Sequence, residues 1–122
     1  MDAFYRHACQ VAEWDFALTV LTTIVSRPTP ERAVIDAGGK TMNVTIHPAQ
    51  VAGREDIEVV AVHAEHGILR LAPTAQDLKI GDRLEIIPGY SDLTCVLHDE
   101  FLGFRQGKLE VLWPLEGRGR LQ

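Results

Sequence analysis

The stretch LKIGDRLEIIPGYSDLTCVLHDEF, residues 78–101, decides how the rest of the chain is read. Gly81-Asp82 marks a turn, and the apolar alternation that follows predicts a strand ending near Ile87. Pro88 to Phe101 reads as a further strand. Side chains alternate across a strand, so Tyr90, Asp92, Thr94, Val96 and His98 would share one face, and Ser91, Leu93, Cys95, Leu97 and Asp99 the other. The second set is expected in the core, with Cys95 a packed thiol among leucines. The first set is unusual for its polar and metal-ligating groups. At a rise of about 3.3 Å per residue, Tyr90 and Asp92 stand about 6.6 Å apart and could reach one ion or ligand; Asp92 and His98, about 20 Å apart, could not. A solvated polar face of an antiparallel sheet is the plain alternative.

Outward from this stretch the same grammar repeats. Phe16 to Arg27 is dense in β-branched residues and predicts a long strand that Pro28 and Pro30 stop. RAVIDAGGK predicts a short strand running into a Gly-Gly bend. Gly53 to Asp56 is a loop, and IEVVAVHAEHGILRL predicts two strands hinged near His66-Gly67. FLGFRQGKLEVLWPL closes as a hairpin about Gln106-Gly107. Only Phe4 to Glu13 has a helical pattern. Seven or eight short strands at regular spacing predict an all-β fold, a single antiparallel β-barrel or sandwich over residues 1–122.

The totals narrow the function classes. A chain of 122 residues is one domain's worth and can bury a core without staples. Its net charge of −5, with no basic run, argues against a nucleic-acid partner. No apolar run is long enough to cross a bilayer as a helix, and Met1-Asp2-Ala3 lacks the order of a signal peptide, so a cytoplasmic soluble domain is expected. Cys9 and Cys95 make no metal spacing and are expected as reduced thiols.

Three other places carry chemistry-bearing residues. HAEHG brings His63, Glu65 and His66 together, as a charged hairpin end or as part of a site. DAGGK holds Asp36 and Lys40 around two glycines, but no helix follows as in a nucleotide-binding loop; a turn with glycines at positive φ is the simpler reading. In VLWPLEGRGR, Trp113 is expected in the core, and Arg118 and Arg120 either solvated or in contact with an anion.

Six runs taken in order, LTVLTTIVSRP, VIDAGGK, EHG, LKIGDRLEIIPGYSD, LHDEF and VLWPLEGRG, resemble the C-terminal domain of the D-threonine aldolase and D-serine dehydratase group. The likeness extends from about Ala17 to Gly119. These are alanine-racemase-like, fold-type III enzymes that use pyridoxal phosphate. The resemblance implies a cofactor-bearing (β/α)8 barrel, absent from this chain, paired with this β-domain in a dimer whose active sites lie between the two. Met1-Asp2 is similar to an interior point of the longer members, so a C-terminal piece is expected.

In that family the stretch after the proline carries a His-x-Cys or His-x-Asp pair that binds a divalent ion such as zinc or manganese. Its aspartate falls on Asp92, and its histidine position on Tyr90. A phenol ligates poorly until it loses its proton, and its ordinary pKa near 10 makes that costly at neutral pH. The resemblance therefore implies catalytic roles for Tyr90 and Asp92. Either Asp92 holds a metal with substrate oxygens, or Tyr90 replaces the metal as a hydrogen-bond donor to the substrate hydroxyl. Glu65 and His66 are implied as supporting residues around the site or at the dimer contact. Lys40, Lys79 and Lys108 do not match the Schiff-base lysine, so the isolated chain is expected to be inactive. The implied substrate is a small D-amino acid. A free-standing β-barrel that binds or assembles without catalysis is the alternative, and a small metal-independent hydrolase a third.

Overall fold

The structure is a computed structural model that describes residues 1–120. A short helix, α1 (Ala3–His7), precedes six strands: β1 (Val20–Thr29), β2 (Arg32–Ile35), β3 (Gln50–Val51), β4 (Ile57–Val62), β5 (Gly67–Leu71) and β6 (Arg83–Ile87). All pairings are antiparallel, and the strands close into a barrel of order β1-β2-β5-β4-β3-β6. A second helix, α2 (Ser91–Cys95), leads to a separate hairpin of β7 (Glu100–Arg105) and β8 (Lys108–Pro114). The antiparallel barrel expected from strand spacing is thus present.

Alternation places the core. Val20, Thr22 and Ile24 of β1 point inward, joined by Ala33 and Ile35, Leu69 and Leu71, and Leu84 and Ile86. Register pairs Ile24 with Ile35, Leu69 with Ala33, and Val20 with Ile86, so neighbouring strands supply the same interior layer. Met42, from the loop between β2 and β3, fills the interior and is fully buried. Shifts of register interrupt β1 and β4, the kind of bulge that bends a sheet toward closure.

Several expectations need correction. β1 begins at Val20, not Phe16, and continues past Pro28 to Thr29. Pro28 is tolerated because it lies in the irregular register between Ser26 and Thr29, where a ladder donor is dispensable. The N-terminal helix stops at His7. Gly38 and Gly39 are not at positive φ. Gly38 is needed for close approach instead, since a Cβ there would come within 2.5 Å of the Ala64–His66 backbone. Trp113 is half-exposed, lying over Gly103 in the hairpin.

The largest correction falls on residues 90–98, where a helix replaces the expected strand. Burial at Ser91, Thr94, Cys95 and His98 follows helical spacing and leaves Leu93 and Val96 exposed. Cys95 is half-buried on that inner helical face, and its thiol is pushed up by burial and then by the charge of Asp92. The physical reason is local. A Cβ on Gly89 would coincide with the His47 carbonyl oxygen, and Pro88 offers no N–H, so the ladder ends at Ile87. The Asp2 carboxylate then accepts from Ser91 N–H at 2.5 Å, and Asp92 sits in the first turn where the helix dipole favours it. Thr94 completes the turn by donating to the Tyr90 carbonyl at 2.8 Å.

Candidate functional site at the start of α2

Tyr90 and Asp92 fall at the N-terminal end of α2, so the structure does keep them side by side, but on a helix start rather than a strand face. Tyr90 is the extended residue preceding the helix, and Asp92 projects to solvent beside the exposed Leu93 and Val96. The adjacent Asp92 carboxylate, with partial burial and the nearby Tyr5 adding, pushes the Tyr90 phenol up to about 12. At neutral pH the phenol is therefore a proton donor.

Three elements hold this segment in place. The loop after β2 docks through Asn43, whose N–H donates to Thr94 Oγ1 at 3.0 Å. His98 Nε2 lies 2.7 Å from the Thr41 carbonyl and so carries the proton it donates; His98 is an anchor of this loop and not a partner of Asp92. The C-terminal side is fixed by Arg118, which pairs with Asp99 at 2.5 Å and donates to the Val96 carbonyl at 3.3 Å. This supplies a protein partner for one of the two arginines read as solvated or anion-bound.

The N-terminal segment is the third element, and sequence reading assigned it no part in the site. Asp2 is fully buried and accepts from Tyr5 N–H at 2.9 Å and from the Ser91 hydroxyl at 2.6 Å. Burial of the Asp2 carboxylate opposes ionisation, yet the bonds from Ser91 and Tyr5 together lower its pKa. Phe4 meets the Tyr90 ring edge-on at 5.6 Å, and Tyr5 stacks on it at 6.3 Å. An aspartate just before a short helical pattern was the available signal for a cap.

Glu65 and His66 lie in the turn between β4 and β5. Glu65 pairs with Lys40, both largely exposed, and this lowers its pKa. Gly39 N–H donates to the His63 carbonyl and Lys40 N–H to the Ala64 carbonyl, locking the two turns together. The loop that begins there continues to Thr41, which meets His98, and to Asn43, which bonds to Thr94 of α2. A surface groove lined by His7, Phe16, Gln50, Val51 and Arg54 does not include Tyr90 or Asp92, and its Arg54 is held by Asp56 and Asp77.

The donor set does not fit either group that the resemblance brings. Among the described residues no three His, Cys, Asp or Glu side chains converge, and the phenol beside Asp92 stays protonated, so the pair is not a metal site in this chain alone. Lys40, Lys79 and Lys108 are all exposed, leaving no desolvated amine for a Schiff base.

Residues 17–104 match the family model described as "Putative serine dehydratase domain". The chain belongs to this family. Among curated members, the 3-hydroxy-D-aspartate aldolase of Paracoccus denitrificans is 39% identical over 108 residues, covering 88% of this chain and 27% of that protein. The chain thus spans little more than a quarter of the length of that relative. The fold agrees: a D-threonine aldolase from Filomicrobium marinum superposes with a TM-score of 0.90 at 27% identity, over all of this chain and 34% of that one. A different kind of relative is an uncharacterized protein of Mycobacterium tuberculosis, 30% identical over 129 residues, where the match covers 98% of this chain and 96% of that protein. In the described residues no helix is long and apolar enough to cross a membrane.

Proposed function

We propose that the chain is a single β-domain that completes the active site of a pyridoxal-phosphate-dependent D-amino-acid lyase of the aldolase or dehydratase type. The cofactor and its lysine would reside on a partner (β/α)8 domain and supply the electron sink. This chain would supply the wall facing the substrate side chain. Tyr90 would turn its single O–H to the substrate β-hydroxyl, and the nearby charge of Asp92 would keep that phenol protonated. Glu65 and His66 would act through the loop at 38–43, which carries the Lys40 pair at one end and touches α2 at the other.

The observation that supports this reading is that Tyr90, half-buried, and Asp92, exposed, stand together at the start of a firmly anchored helix, where the resemblance would put the family's pair. Exposed apolar residues on two sides support a covering partner: Leu93 and Val96 beside Asp92, and Leu102, Phe104, Leu109 and Leu112 on the hairpin. The family's metal is not used in this account, because the donors present do not make a site for it.

The test is a chimera in which this chain replaces the matching portion of the Paracoccus aldolase. Cleavage of a D-3-hydroxy amino acid is expected, falling at least about a hundredfold in Tyr90→Phe and Asp92→Ala, in the range of a lost transition-state donor. A folded, cofactor-loaded chimera whose turnover ignores both substitutions would refute the assignment. The isolated chain is expected to show no turnover.

A second reading, a free-standing β-barrel module without catalysis, is favoured by the mycobacterial relative that matches along nearly its whole length. Light scattering separates the two: a module of that kind is monodisperse, whereas a domain lacking its partner self-associates through its exposed apolar face.

A further inference from the structure

We infer that Asp2 is a positioning residue for the Tyr90–Asp92 pair, and that the segment Asp2–Tyr5 is a built part of the site; this rests on the lyase reading of that pair. Each oxygen of the carboxylate has a separate task. Oδ1 accepts from Tyr5 N–H at 2.9 Å and caps α1. Oδ2 accepts from both the N–H and the hydroxyl of Ser91, at 2.5 and 2.6 Å, and so caps α2. One fully buried carboxylate therefore joins two helix starts, Ser91 lying 89 residues along the chain from Asp2.

Such a residue is costly unless its donors are all in place. A simple cap for α1 would need only one oxygen and no burial. The second oxygen is directed to the residue between Tyr90 and Asp92. Two backbone bonds reinforce the clamp, from Ala3 N–H to the Pro88 carbonyl and from Phe4 N–H to the Gly89 carbonyl, both 3.1 Å. Phe4 and Tyr5 then box the Tyr90 ring from its edge and its face. The backbone of the pair and the direction of its phenol are thus set by the N-terminal segment, while the barrel contributes the fixed end at Ile87.

Amide hydrogen exchange and ring cross-peaks measured by NMR on the full chain test this directly. In Asp2→Ala, Ser91 N–H is expected to exchange at least about tenfold faster, in keeping with the loss of a bond to a charged acceptor. The Tyr90 ring should lose its cross-peaks to Phe4 and Tyr5, while the amides of Ile24, Leu69 and Ile86 keep their protection. Asp2→Asn retains a carbonyl acceptor and is expected to fall between wild type and Asp2→Ala, a graded rescue that a merely bulky plug would not produce. Unchanged Ser91 exchange and Tyr90 contacts in Asp2→Ala would overturn the inference. So would global unfolding of Asp2→Ala together with wild-type Ser91 exchange in Asp2→Asn. Neither readout needs turnover, so failure of the lyase reading in the chimera is registered separately.

Discussion

The barrel and the β7–β8 hairpin are written in the same alternating pattern and have opposite environments. In the barrel, each inward residue meets others from across the interior, and Ile24, Ile35, Leu69 and Ile86 are fully buried. In the hairpin, Leu102 pairs with Leu112 and Phe104 with Leu109, forming one apolar face with every member more than half exposed. Cross-strand pairing is present in both, so pairing alone does not bury a strand. A second layer does, and closure provides it only for the first six strands. The barrel therefore carries the domain's stability, and the hairpin carries surface available to a partner.

The largest test of that contrast is a pair of matched truncations. Leu69→Ala is expected to destabilise by about 2–5 kcal/mol through lost transfer energy and a cavity. Leu112→Ala, on the same residue type in the hairpin, should cost no more than about 0.5 kcal/mol. Urea unfolding of the two variants checks this, and equal costs would mean that the hairpin face is covered in solution.

A smaller difference is expected between two glycines. A Cβ on Gly38 meets backbone of the Ala64–His66 turn, which cannot yield without breaking the lock to Gly39 and Lys40. Gly38→Ala should cost about 1–3 kcal/mol. A Cβ on Gly103 meets only the ends of the Val111 and Trp113 side chains, which can swing outward. Gly103→Ala should therefore leave the thermal midpoint nearly unchanged, and a drop as large as that of Gly38→Ala would break the comparison.

The smallest effect is a pH dependence confined to the barrel. Partial desolvation of the Asp36 carboxylate, an otherwise exposed group, opposes ionisation, but hydrogen bonds from Thr22 at 2.6 Å and Thr23 N–H at 2.7 Å outweigh it and lower its pKa. A depressed folded-state pKa gives stability that is complete above the unfolded value and is lost as pH falls through the folded one. Wild type should thus weaken below about pH 4, and Asp36→Asn should show a shallower loss over the same range in acid unfolding. An identical acid profile for the two proteins would remove Asp36 from the account.

Apart from the two-residue β3, which was not foreseen, the barrel was legible because strand length, alternation and turn residues agreed from Val20 to Ile87, with Gly81 at the positive φ its turn requires; the hairpin turn at Gln106-Gly107 was legible in the same way. The site was legible as residue types but not as geometry. Tyr90 and Asp92 stood out as residue types, yet their placement on a helix depends on Asp2 and Asn43, each distant in sequence, and on the close fit of Gly89 against His47. A five-residue helix with Leu93 and Val96 outward has no apolar stripe to announce it. Trp113 was misplaced for the converse reason: its pattern was that of a core strand, but among the described residues nothing covers it enough to bury it.

The central claim is the proposal that Tyr90 acts as a protonated donor at the position where the resemblance implies a metal-binding histidine. Calorimetric titration of the full chain with Mn²⁺ and Zn²⁺, beside Tyr90→His and Asp92→Ala, tests it most directly. The account predicts no saturable heat from wild type and binding that appears only in Tyr90→His. Saturable binding by wild type that vanishes in Asp92→Ala would contradict it and return the pair to metal chemistry.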